Sequence, residues 1–163
     1  MVYAKDDTYY YVLTQKLRGS NITEINENIA HKLGCILANL HTAFRECESQ
    51  GEFSGYIDFD LSQRNIKIFD LCYVMLGLLS EEEKLEISEK QWFVILEKFF
   101  DGYEQQCKLT VEEKQAIPYV MESIEILFAA WFVGQNDITC AKDAIRIYKF
   151  IKRRTDRILK CVQ

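Results

Sequence analysis

The reading of this chain turns on Gly55-Tyr56-Ile57-Asp58-Phe59-Asp60, the polar loop Leu61 to Asn65, and the run from Ile66 to Leu79. Phe53 to Asp60 alternates aromatic, β-branched and small residues, and predicts a short strand that ends in two acids. From Ile68 the chain reads Ile-Phe-Asp-Leu-Cys-Tyr-Val-Met-Leu-Gly-Leu-Leu. A helix apolar on all sides is expected to be central. Asp70 is the exception within it.

Outward from this stretch the chain is helical, except at its start. Val2 to Lys5 and Thr8 to Leu13 predict two strands around a turn at Asp6-Asp7, the second continuing to Leu17 and stopping at Arg18-Gly19-Ser20. An isolated hairpin is marginal in water, so these strands need a sheet, a helix or a partner. Ile22, Ile25, Ile29, Leu33, Ile36, Leu40 and Phe44 recur at three- and four-residue spacing and predict one helical face. Ser20, Asn21 or Thr23 can cap that helix, and Gly51 should follow its end. Downstream, Ser88 with Gln91 and Thr110 with Glu113 are capping boxes. Trp92 to Tyr103 and Val120 to Trp131 each carry a helical apolar period. Pro118 lies too deep for a first turn and predicts a break or kink. Asp137 should cap a last helix from Ile138 to about Leu159. The Lys and Arg residues near its end read as a solvated helix terminus that offsets the dipole.

The chain has 163 residues, 20 Lys and Arg against 25 Asp and Glu, and a formal charge of -5. That suits one domain with a real core. The acidic balance argues against nucleic-acid binding. Charges interrupt every apolar run before it reaches the roughly 18–20 residues that a bilayer span needs, and Met1 to Asp7 lacks a signal-peptide core. None of the six cysteines has Cys-x-x-Cys spacing. Six reduced thiols in a cytoplasmic protein are expected.

Asp58 projects from a strand end and is placed to bind a hard cation such as Mg²⁺. Asp60, two residues on, points to the same strand face and could share that ion. On spacing alone, two exposed acids are the simpler reading. Asp70 in its apolar run needs donors, from backbone amides or a basic side chain, and reads as a satisfied buried acid. His41 reads as a packed, hydrogen-bonded helix histidine and His31 as a surface one. No Ser-His-Asp or Cys-His set can be assembled, and no glycine-rich phosphate loop is present.

Taken in order, Leu13 to Gly19, Leu37 to Phe44, and Gly55-Tyr56-Ile57-Asp58-Phe59-Asp60 followed ten residues later by Asp70-Leu71 resemble the aminoglycoside phosphotransferase family, which includes choline-kinase-like enzymes. The resemblance implies the helical C-terminal lobe of a protein-kinase-like fold (mainly α, α+β) with a small N-terminal β-hairpin remnant. On that division residues 1–19 are hinge strands left from an N-lobe, and residues 20–163 are the helical lobe with a metal-motif strand at 53–60. By position, Asp58 matches the Mg²⁺ acid and Asp60 an acidic position beside it. Asp70 matches the acid that buttresses the catalytic loop. Gln15, Lys16 and Leu17 match the hinge that meets the adenine of ATP.

The family's H-G-D-x-x-x-x-N loop has no counterpart between Arg45 and Gly55. That loop supplies the base and a second metal ligand, so no catalytic residue is assigned. The phosphate-pairing lysine also has no match, since Lys5 and Lys16 lie in the wrong places. Two origins fit: an enzyme that lost its N-lobe and catalytic loop, or segments of a larger enzyme joined near Ser49 to Phe53. The expected function is ATP-dependent phosphoryl transfer to a small-molecule hydroxyl, incomplete in this sequence. The alternative is a non-catalytic helical module that binds a partner or dimerises.

Overall fold

A computed structural model of the chain describes residues 2–5, 10–13, 24–50, 66–80 and 87–163. The expected strand at 53–60, the hinge at 14–19 and the division between residues 19 and 20 lie outside the described residues, as does the 51–53 stretch on which the two origins turn.

Strands β1 (Val2–Lys5) and β2 (Tyr10–Leu13) pair antiparallel, with Val2 opposite Leu13 and Lys5 opposite Tyr10. Six helices follow among the described residues: α1 (Glu27–Gln50), α2 (Ile68–Gly77), α3 (Glu89–Glu104), α4 (Val111–Gly134), α5 (Ile138–Lys152) and α6 (Thr155–Cys161). The architecture is mainly helical. Two antiparallel pairings dominate, α1 on α3 and α4 on α5; α2 packs on α4, and α6 closes against α3 and α4.

The core is aromatic and branched: Trp92, Phe99, Phe100 and Tyr103 of α3 meet Leu71 and Met75 of α2, Met121 and Ile124 of α4 and Ile151 of α5. Trp92 sits edge-on to Phe93 and Phe150, and its indole N–H donates to the Met75 carbonyl at 2.9 Å. A buried indole needs such a partner. Both capping boxes form as their sequences predict, Ser88 with Gln91 and Thr110 with Glu113.

The α1 face differs from the one its large residues suggest. The helix starts at Glu27, where the Asn26 side chain accepts from the Ile29 N–H at 3.0 Å, so Ile25 precedes it. Ile36 and Leu40 are exposed, and the residues buried are Ala30, Gly34 and Ala38. The cause is close approach. A Cβ on Gly34 would stand 2.0 Å from the Phe99 carbonyl oxygen, and one on Gly102 would stand 2.0 Å from that of His31. Small residues at four-residue spacing let the two backbones meet; larger ones flank the contact.

Three further expectations change. Helix α2 buries Ile68, Leu71, Cys72, Met75 and Leu76 but exposes Tyr73 and Val74, so it is not enclosed on all sides. Of the break or kink expected at Pro118, the break is absent: helix α4 runs continuously from Val111 to Gly134. Proline forgoes one N–H bond to the preceding turn, but Ile117, Pro118 and Met121 are buried and hold that turn in place. The last helix is two. Asp137 caps α5 by accepting from the Cys140 N–H at 3.0 Å, but the chain turns at Arg153-Arg154 before α6. That turn lets Ile158 and Val162 reach the core.

The α4–α5 turn is a Schellman motif, with the Asp137 N–H donating to the Phe132 carbonyl and the Asn136 N–H to that of Val133. Asn136 takes the left-handed position at φ 60°. Helix α4 is also long and apolar enough to cross a membrane by length and composition, which corrects the expectation that no run is. Its Ile117, Met121, Ile124 and Glu125 nonetheless face the interior of this fold.

Candidate functional site

Of the residues singled out by sequence, Gln15, Lys16, Leu17, Asp58 and Asp60 lie outside the described residues. Asp70 and His41 are described, and they meet. His41 Nε2 stands 3.0 Å from Asp70 Oδ2, and its Nδ1 stands 2.7 Å from the Tyr103 hydroxyl. A carboxylate only accepts, so Nε2–H donates to Asp70, while Nδ1 faces the Tyr103 hydroxyl. The His41 and Tyr103 rings are edge-on at 5.5 Å, and Cys107 Sγ lies 3.4 Å from the same hydroxyl. This chain of groups joins one residue from each of α1, α2 and α3.

The Asp70 side chain is 58% exposed, not buried as its apolar neighbours suggest, because it occupies the outward side of the first turn of α2. His41 is only 12% exposed and Tyr103 is fully buried. An Asp-His-Tyr array resembles a proton relay, but its hydroxyl end has no access to a substrate. It acts as a strut between helices. His31, expected at the surface, is partly buried: its Nε2 meets the Gln105 side chain at 2.8 Å and its Nδ1 lies 3.8 Å from Cys35 Sγ.

Among the described residues no group of three or more His, Cys, Asp or Glu side chains is placed to hold a metal ion. The carboxylate of Asp70 is engaged by His41, so a Mg²⁺ reading rests on Asp58 and Asp60 of the sequence. Cys35, Cys72, Cys107, Cys140 and Cys161 are free thiols, and burial pushes that of Cys72 up.

A second constellation lies on α5 and α6, where sequence suggested only a solvated terminus. Arg154 and Arg157 both reach Glu89 in the first turn of α3, Arg157 Nη1 at 3.2 Å. Each guanidinium also stacks on a ring, Arg154 on Phe150 at 4.0 Å and Arg157 on Phe93 at 3.8 Å. The hydrogen bond from Arg154 and the two positive charges hold the Glu89 carboxyl below its ordinary value. Beside this clamp runs an open groove of about 470 Å³, lined by Lys142, Ile145, Arg146, Lys149, Phe150, Arg153 and Arg154. Arg146 is held in it by Asp143 and by the Leu79 carbonyl, at 2.7 and 2.6 Å. The sequence signal was the spacing of Lys142, Arg146, Lys149 and Arg153, which puts four cations on one helical face.

Glu125 of α4 is the one buried charged residue among the described residues. It is 5% exposed, and desolvation together with the Asp143 charge raises its pKa to about 7, partly opposed by Arg146.

No family model, no curated protein and no solved structure matches this chain.

Proposed function

We propose that this chain is the helical lobe of an aminoglycoside-phosphotransferase-like small-molecule kinase that retains a Mg²⁺–ATP site but not the machinery for transfer. The observation that carries this reading is the hydrogen bond between His41 and Asp70 at 3.0 Å. It joins two of the three segments on which the resemblance rests, 29 residues apart, with side chains in contact. In this reading Asp58 binds Mg²⁺ with Asp60 beside it, and the backbone from Gln15 to Leu17 meets adenine. The missing H-G-D-x-x-x-x-N loop leaves no base for the acceptor hydroxyl.

The test is titration of the full chain with a fluorescent ATP analogue, with and without Mg²⁺. Mg²⁺-dependent binding that weakens at least about tenfold in Asp58→Ala is expected, the size for loss of a charged ligand. Absence of binding sinks the nucleotide site, and measurable phosphoryl transfer sinks the inference from the missing loop.

A second reading has its own support. Helix α4 presents Tyr119, Ile126, Leu127, Trp131 and Val133 to solvent, each more than half exposed. An apolar stripe of this kind suits a non-catalytic module whose partner is a second copy of the chain. Its mass in solution, with and without substitutions in the stripe, separates this reading from the first.

A further inference from the structure

The groove on α5 has four properties that point to one class of partner. Lys142, Arg146, Lys149 and Arg153 follow at intervals of four, three and four residues, so they line it over about 16 Å. Lys142, Lys149 and Arg153 are exposed and make no ion pair or side-chain hydrogen bond among the described residues. Arg146 is anchored by Asp143 and the Leu79 carbonyl, so the wall they share is preformed. Ile145 and Phe150 lie between the cations and give the groove an apolar component.

The charge of the rest of the chain narrows the choice. From Asp137 to Gln163 there are eight Lys and Arg against three acids; residues 1–136 hold 12 against 22. A long polyanion would also meet the net negative charge of that remainder and be repelled. A short peptide fits, since it can end within the roughly 16 Å that the cations span and need not cross that remainder.

We propose that the α5 groove binds a short acidic segment of a partner polypeptide, with carboxylates on Lys142, Lys149 and Arg153 and apolar side chains against Ile145 and Phe150. This inference is independent of any nucleotide site. The test is fluorescence anisotropy on the full chain, using a fluorescein-labelled peptide of alternating Glu and Leu and its Gln–Leu counterpart. The Glu peptide should bind, more weakly as salt rises, and the Gln peptide should not. Combined Lys142→Glu, Lys149→Glu and Arg153→Glu should weaken binding at least about tenfold, while Lys160→Glu on α6 should change it less than about twofold. Circular dichroism melting checks that each variant folds; the three Gln substitutions replace the Glu set if it does not. Unchanged affinity in the groove variants overturns the proposal. So does tighter binding of duplex DNA or of phosphatidylserine vesicles than of the Glu peptide.

Discussion

Glu125 is a carboxyl in a place that sequence pattern did not mark as special. It lies within Met121 to Phe128, where Ile124 beside it is buried and Ile126 and Leu127 are exposed. Its value of about 7 stands above the ordinary 4.5, so between those pH values the folded chain holds a proton that the unfolded chain has lost. The sign follows: its penalty is absent below about 4.5, grows as pH rises toward 7, and is constant above. The shift corresponds to about 3 kcal/mol as an upper bound. Glu89, Glu112 and Asp137 act in the opposite sense. Their carboxyls are held below their ordinary values by Arg154, by backbone N–H and Thr110, and by the Cys140 N–H respectively, and their support fades as pH falls through the acid range. The melting temperature should therefore peak near about pH 5 and decline toward pH 8. Glu125→Gln should flatten the alkaline side, raising the melting temperature at pH 8 by about 5 °C and changing it little near pH 4.5. Parallel wild-type and variant profiles would rule out burial of this acid as the cause.

Between elements, the decisive contact is the α1–α3 crossing. Counting large apolar residues favoured Ile36 and Leu40, which are exposed; the crossing selects Ala30, Gly34 and Ala38 instead. Hydrophobic periodicity finds helices well but weighs residues by size, and a close crossing needs the reverse. The two capping boxes and the Asp137 cap were legible because each is a local hydrogen-bond pattern fixed by a few adjacent residues. The Arg153-Arg154 turn was not, since Arg154 and Arg157 find Glu89 and Phe93 only across the fold. The His41–Asp70 bond was legible only as two residues each in need of a partner. The crossing makes a prediction of opposite signs. Gly34→Ala sets a methyl group against the Phe99 carbonyl and should cost about 2 kcal/mol. A Cβ on Gly134 meets nothing within 4 Å, so Gly134→Ala should be neutral or stabilise by up to about 1 kcal/mol. Urea unfolding measures both; midpoints that move the same way would contradict the close approach.

At the scale of the whole molecule, two surfaces stand apart from the core, the basic groove of α5 and the apolar stripe of α4. Large apolar side chains exposed together on one helix favour association. Leu127 is 65% exposed and Trp131 is 56% exposed, so neither contributes much to the core and both can be changed without loss of fold. A second copy is the occupant that the stripe needs least help to recruit, because an isologous contact lets one patch serve both partners. The charge distribution also permits it, since the cations of α5 lie on a different helix from the stripe. Sedimentation of the full chain should therefore show a dimer whose fraction rises with concentration. Leu127→Lys with Trp131→Lys should weaken it at least about tenfold, about 1.4 kcal/mol, with an unchanged circular dichroism spectrum. Placing two lysines opposite their own copies adds repulsion to the lost burial, so the effect should shrink as salt rises. A wild-type chain that stays monomeric, or floats with neutral liposomes instead of pairing, removes the second copy as the occupant of the stripe.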